Sequence, residues 1–271
     1  MGVKRAVDMA VKLAEENPGR AIYTIGPLIH NPQVIELLAK KGVKVLDKAI
    51  PAKDSVVIIR THGIPPETKK QFQDLGVVLH DATCPFVVKV QRIIEKYKDE
   101  DYRIIIIGDK GHAEVDSYLG YAGIKGVVIS SVEEAKKIEL IGDVCVVAQT
   151  TQDKKIFSEV VNIMKQKNAN IKVFDTICSA TNQRQKEALD LSNSVDAMIV
   201  VGGKNSANTV RLFEICQSAG TKTLFIERVG ELDLKEVSNY ETVGVTAGAS
   251  TSNETIQEVV CRINEKCKTK K

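Results

Sequence analysis

Tryptophan is absent from this 271-residue chain, and only six tyrosines and six phenylalanines, spread along its length, supply aromatic surface. That excludes a stacking platform interleaved with a basic patch, as single-stranded nucleic-acid binding requires. A dominant charge is missing too. The 38 basic and 35 acidic residues leave a formal +3, and much of the excess sits in the tail Lys266, Lys268, Lys270 and Lys271, so nucleic acid is not an expected partner. No apolar run reaches the roughly 18 to 20 residues of a membrane span. The opening MGVKRAVDMA also lacks the apolar stretch of a secretory signal. The expected location is therefore cytoplasmic, with no membrane partner. Thiols stay reduced there, so the six cysteines at 84, 145, 178, 216, 261 and 267 are core thiols or ligands rather than a disulfide framework.

What is present is apolar content of 43%, enough for a substantial core in two domains or three small lobes. Short Val- and Ile-rich runs recur at 21–25, 56–60, 103–107, 144–148, 197–201 and 242–246. Amphipathic stretches such as Val34–Lys41, Lys89–Tyr97, Ser158–Lys167 and Thr255–Lys266 alternate with them. This predicts an α/β fold with largely parallel, buried strands. Three strands end in glycine and carry a polar residue four positions on, just before a helix: Gly26 and His30, Gly108 and His112, Gly202 and Ser206. A second set ends in polar clusters, RTHG at 60–63, AQTT at 148–151 and TAGAS at 246–250. A third is Asp-x-x-Cys, at Asp81–Cys84 and Asp175–Cys178, each cysteine opening a helix. The period of some 80 to 95 residues suits a small α/β lobe rather than a solenoid unit.

In parallel α/β units the strand C-termini and following helix N-termini gather on one edge, and unpaired N–H groups there favour anions. His30, His62, His112, Ser206, Asn208 and Ser250 add many donors and few fixed charges, which suits a diphosphate. A single histidine before a helix is usually a cap, but three at repeated offsets point to function; His80 is assigned no role. Cys145, Cys216, Cys261 and Cys267 lie in strand or helix runs and read as structural. Cys84 and Cys178 stand at strand-to-helix turns, where a helix N-terminus favours the thiolate needed for metal or cluster ligation. Two cysteines are an incomplete site, since an iron–sulfur cluster or a tetrahedral zinc normally takes four ligands. Glu114, two residues after His112, reads either as a proton donor or as a first-turn acid complementing its helix.

With those residues assembled, the chain resembles the 4-hydroxy-3-methylbut-2-enyl diphosphate reductase family from Gly2 to about residue 265. The resemblance rests on GVKRA at 2–6, HN at 30–31, HG at 62–63, DATCP at 81–85, GHAE at 111–114, QTT at 149–151, ICSATNQR at 177–184, GGKNSAN at 202–208 and TAGAS at 246–250. It implies three similar α/β lobes arranged pseudo-threefold around a central 4Fe-4S cluster held by three cysteines. Cys84 and Cys178 match two of these. By the same likeness His30, His62, His112, Ser206, Asn208 and Ser250 match diphosphate contacts, Glu114 the proton donor, and Thr150 a hydroxyl that positions substrate and relays protons. The implied reaction is a two-electron reductive dehydroxylation of an allylic diphosphate, with a ferredoxin or flavodoxin as electron donor. Lobes are expected over 1–83, lacking its first strand, 84–177 and 178–248, with a C-terminal helix and tail over 249–271.

Three departures stand out. The family pattern C-x-G-V-x-R-A puts its third cluster cysteine immediately before Met1, as a start assigned too far downstream would explain. Ala207 replaces a second serine found in many members, and no long C-terminal cover over the pocket is expected. Two further readings stay open at this point: a diphosphate-binding protein of the same fold without a cluster, and a zinc site on Cys84, Cys178 and a histidine.

Overall fold

A computed structural model describes residues 2–46 and 50–268, with side chains as far as Glu265. Of the basic tail, Lys270 and Lys271 lie outside the described residues, as do the side chains of Lys266, Cys267 and Lys268. The chain divides into two compact units, Met1–Ile29 with Gln33–Cys178, and His30–Pro32 with Ser179–Lys271.

The first unit opens with α1 (Gly2–Glu16), which buries Ala6, Ala10 and Leu13 at helical spacing. Then follow β1 (Ile22–Ile25), α2 (Pro32–Lys40), β2 (Val43–Leu46), β3 (Val56–Ile59), α3 (Pro66–Asp74) and β4 (Val78–Asp81). Their sheet runs β2-β1-β3-β4, every pair parallel. The pattern repeats with α4 (Pro85–Asp99), β5 (Arg103–Ile107), α5 (Ala113–Ala122), β6 (Gly126–Ile129), α6 (Val132–Lys137), β7 (Val144–Ala148), α7 (Lys154–Lys167) and β8 (Ile171–Val173). Here the order is β6-β5-β7-β8, again all parallel.

The second unit holds α8 (Ser179–Ser192), β9 (Ala197–Val201), α9 (Ala207–Ser218), β10 (Lys222–Ile226), α10 (Leu234–Val237), β11 (Val243–Ala247) and α11 (Asn253–Lys268). Its parallel sheet runs β10-β9-β11, and no fourth strand pairs with β11 among the described residues. Among the described residues the chain is thus α/β with three parallel sheets, as its sequence predicts.

The sequence RIIII becomes β5 because both faces of that strand are covered. Ile105 and Ile107 pack with Val160, Val161 and Met164 of α7. Ile104 and Ile106 pack with Val90 and Ile94 of α4 and Tyr118 of α5. Burying each such isoleucine contributes about 1.5–3 kcal/mol. That rigid layer aims the strands' C-terminal ends, and every candidate residue lies just beyond one of them.

Candidate functional site

Both Asp-x-x-Cys segments fold by one local rule. The Asp81 carboxylate accepts from the Thr83 N–H at 3.0 Å and the Thr83 hydroxyl at 2.5 Å. The Asp175 carboxylate accepts from the N–H of Ile177, also two residues on, at 3.3 Å. Such local bonds turn a chain leaving a strand. Each aspartate also meets a lysine from the preceding helix, Lys69 of α3 or Lys154 of α7. The cysteine that follows is pinned from its main chain: Cys84 N–H donates to the Thr61 carbonyl and Cys178 N–H to the Thr150 carbonyl, both at 2.9 Å. Cys84 then caps α4, with Pro85 at the first helical position, where its missing N–H costs nothing. Cys178 immediately precedes α8. Both thiols are half-buried. The Cys84 sulfur packs so tightly on the start of α1 that a Cβ on Gly2 would stand 2.6 Å from it. By contrast Cys145 is fully buried in β7, and burial pushes its thiol up to about 12, despite the opposing pull of Lys172.

Between these turns lies the second group. His112 caps α5, its Nδ1 accepting the Glu114 N–H at 3.2 Å, so in the neutral ring the proton sits on Nε2. His62 meets it edge-on with ring centroids 5.3 Å apart. The Glu114 carboxyl is buried and receives three donors: the Thr150 N–H at 2.6 Å and the Tyr118 hydroxyl at 2.9 Å on one oxygen, the Thr150 hydroxyl at 2.9 Å on the other. Burial raises its pKa. The three hydrogen bonds pull the other way and the charge of Asp109 adds to the rise, so the net direction is upward. A carboxyl so placed keeps its proton to higher pH than an ordinary glutamate and can give it to an acceptor through the Thr150 hydroxyl.

Gly63 makes the turn after His62 at φ +72°, and a Cβ there would lie 2.5 Å from Nε2 of Gln91, a buried amide that donates to Ser117 at 2.9 Å. Gly63→Ala is expected to lower unfolding free energy by about 2–3 kcal/mol, combining left-handed strain with the displaced amide. Denaturant unfolding measures it, and a loss below about 0.5 kcal/mol would show that this turn relaxes freely.

In the second unit, Ser206 caps α9 and accepts the Thr209 N–H at 3.4 Å. Asn208 follows in the first turn of α9, 6% exposed, and neither its amide oxygen nor its nitrogen has a partner among the described residues. A buried amide with both ends open costs stability unless something meets it. Ser250 donates its hydroxyl to the His30 carbonyl at 3.4 Å, and Asn31 donates its side-chain amide to the Ser250 carbonyl at 2.6 Å. The His30 carbonyl is approached so closely by Gly203 that a side chain there has no room.

The structure therefore brings Glu114 and Thr150 into direct contact and sets His62 against His112, while Ser250 meets the main chain of His30. Sequence reasoning overlooked Tyr118, whose spacing of four residues from Glu114 along α5 was the available signal. It also overlooked Gln149, fully buried, whose side-chain oxygen accepts the Asp109 N–H at 2.8 Å and ties the turn after β7 to the turn after β5.

Comparison with known proteins adds a family. A family model described as LytB protein matches residues 1–264. The 4-hydroxy-3-methylbut-2-enyl diphosphate reductase of Alkaliphilus oremlandii (strain OhILAs) is 44% identical over 264 residues, covering 97% of this chain and 95% of its own. That of Clostridium perfringens (strain 13 / Type A) is 41% identical over 269 residues, with 97% and 94% covered. Among solved structures, the E-1-hydroxy-2-methyl-but-2-enyl-4-diphosphate reductase from Plasmodium falciparum matches with TM-score 0.92 and 27% identity, over 96% of this chain and 83% of that one. A second, titled as (E)-4-hydroxy-3-methyl-but-2-enyl diphosphate reductase, the terminal enzyme of the non-mevalonate pathway, matches with TM-score 0.69 and 39% identity over 98% and 95%.

Proposed function

Because this chain belongs to the LytB protein family, we propose that it performs the reaction its curated relatives are named for, reducing 4-hydroxy-3-methylbut-2-enyl diphosphate to isopentenyl and dimethylallyl diphosphate, with a 4Fe-4S cluster as cofactor. The observation that carries the reading is the Glu114 carboxyl, buried, pushed up in pKa and wired to the Thr150 hydroxyl beside the paired rings of His62 and His112. Reductive loss of an allylic hydroxyl consumes two electrons and two protons. The C–O bond breaks, one proton leaves with the oxygen as water, and a C–H bond forms with the other. Glu114 supplies protons and Thr150 relays them.

Cys84 and Cys178 are the thiolates this sequence offers to the cluster. The fit rests on their shared turn geometry and on the bare Gly2 surface against the Cys84 sulfur. When bound, the cluster supplies Lewis acidity and electrons. His30, His62, His112, Ser206, Asn208 and Ser250 are the proposed diphosphate donors, and the open buried amide of Asn208 is what an anion or hydroxyl partner would satisfy. A ferredoxin or flavodoxin is the proposed electron source. No described helix is long and apolar enough to cross a membrane, and a reduced cytoplasmic setting suits free thiols.

Anaerobic reconstitution of the chain is expected to give brown protein with about four irons per chain. With dithionite-reduced viologen it should convert the diphosphate substrate to both isomers, identified by mass spectrometry. Colourless, iron-free protein that still binds the diphosphate would overturn the cluster assignment.

A further inference from the structure

We propose that the groove between the start of α1 and the outer face of α4 is the docking site for a small acidic one-electron carrier protein, which passes its electron in through the Cys84 turn. This rests on the reductive reading above.

The groove, about 570 Å³, is rimmed by Arg5, Lys89, Arg92 and Lys96. Three of these cations stand on α4 at spacings of three and four residues, so they share one exposed face while Val87, Val90, Gln91 and Ile94 bury the other. A charged helix face is ordinarily just solvated; this one borders a depression whose floor is apolar, from Val88 and Ile93. Lys89 and Arg92 have no hydrogen-bond or ion partner among the described residues, and Lys96 makes a loose pair with Glu100 at 3.9 Å and lies 5.4 Å from the Tyr97 ring centroid. The one acid in the lining, Asp81, is already neutralised by Lys69 and held by Thr83. The lining therefore carries four cations against one paired acid. Apolar centre with charged rim is the composition of a protein interface, and a concentrated cationic rim accelerates encounter with an acidic partner.

Position decides what that partner does. Thr83 and Pro85, the two chain neighbours of Cys84, both line the groove, and the Cys84 sulfur packs against Gly2 at the start of α1. Arg5 donates to the Thr83 carbonyl and fastens α1 to the same lining. A carrier seated here meets both chain neighbours of the proposed cluster ligand. Two docking events serve each turnover. Each oxidises one reduced carrier by one electron, and the two electrons with two protons convert the allylic alcohol to the alkene and water.

The test uses a small ferredoxin of net negative charge as probe, titrated calorimetrically into the reconstituted chain and into the double charge reversal K89E/R92E, at low and at physiological salt. The variant is expected to bind at least about tenfold more weakly, with a flattened salt dependence, and to show a matching rise in KM for ferredoxin. Its rate with dithionite and its unfolding midpoint should stay unchanged. A control reversal on the exposed lysines of α7, K155E/K165E, should leave ferredoxin affinity intact. Unaltered affinity in K89E/R92E, or equal weakening in both variants, overturns the proposal. Failure of the reductase reading looks different: neither donor then supports turnover, while the titration still reports on the groove.

Discussion

Glu114→Gln is expected to lower turnover by about 10²–10⁴-fold, the usual contribution of a positioned acid, while the dissociation constant for the diphosphate changes little. Glutamine keeps the volume, and its oxygen can still accept from the Thr150 N–H and from Tyr118. What it cannot do is release a proton to the Thr150 hydroxyl. A burial role alone would move the unfolding midpoint and spare the rate, so the two measurements separate the possibilities. The pH profile sharpens the test. Burial holds the Glu114 proton above the ordinary carboxyl range, so stability tied to that proton is fully present below the pKa of an unfolded carboxyl and is lost as pH rises through the raised value. The alkaline fall in rate should follow the same group, and the glutamine variant should show neither change. Wild-type turnover in Glu114→Gln would remove the residue from the chemistry.

The second large effect is expected from Cys84→Ser. Oxygen for sulfur is nearly isosteric and leaves the N–H to the Thr61 carbonyl in place, so the turn should fold. A purely structural thiol would then cost about 1 kcal/mol or less of stability, and iron would be unaffected. As a cluster ligand, Cys84 should take with it at least half the iron and nearly all turnover, under reconstitution with any reductant. Cys145→Ser is the matched control. That thiol is fully buried among isoleucines and valines and held near 12, so its loss should lower the unfolding midpoint and spare iron uptake. Equal iron content in Cys84→Ser and wild type would end the ligand assignment.

Which parts of this architecture could be read from the letters follows from burial. The six apolar runs chosen as strands are β1, β3, β5, β7, β9 and β11. Four of them, β3, β5, β7 and β9, are buried along nearly their whole length, so they read as continuous Val and Ile. Overlooked were β2, β4, β6, β8 and β10, all at sheet edges. In VKVL, VLHD, IKV and KTLFI solvent reaches part of the strand, and polar letters break the run. Among site residues, His112 and Ser206 were legible because capping a helix puts a polar side chain at a fixed offset from a strand end. The grip of Thr150 and Tyr118 on Glu114 was not, since it depends on which strand lies beside which. No pattern within a single segment encodes the pairing of β5 with β7.

The twin anchoring of Cys84 and Cys178 also bears on how such a chain can change over time. Helix α3 has nine residues and α7 fourteen, yet each thiol-bearing amide ends the same 2.9 Å from a threonine carbonyl. Insertions in those intervening helices are absorbed as loops of polymer that never reach the anchor. One codon gained or lost within the four-letter Asp-x-x-Cys signature would have no such slack, because the aspartate clasp and the amide tether count residues individually. Drift should therefore accumulate in the spacers and stall in the signatures, which makes the two halves of the first unit unequal in length but interchangeable in their business ends.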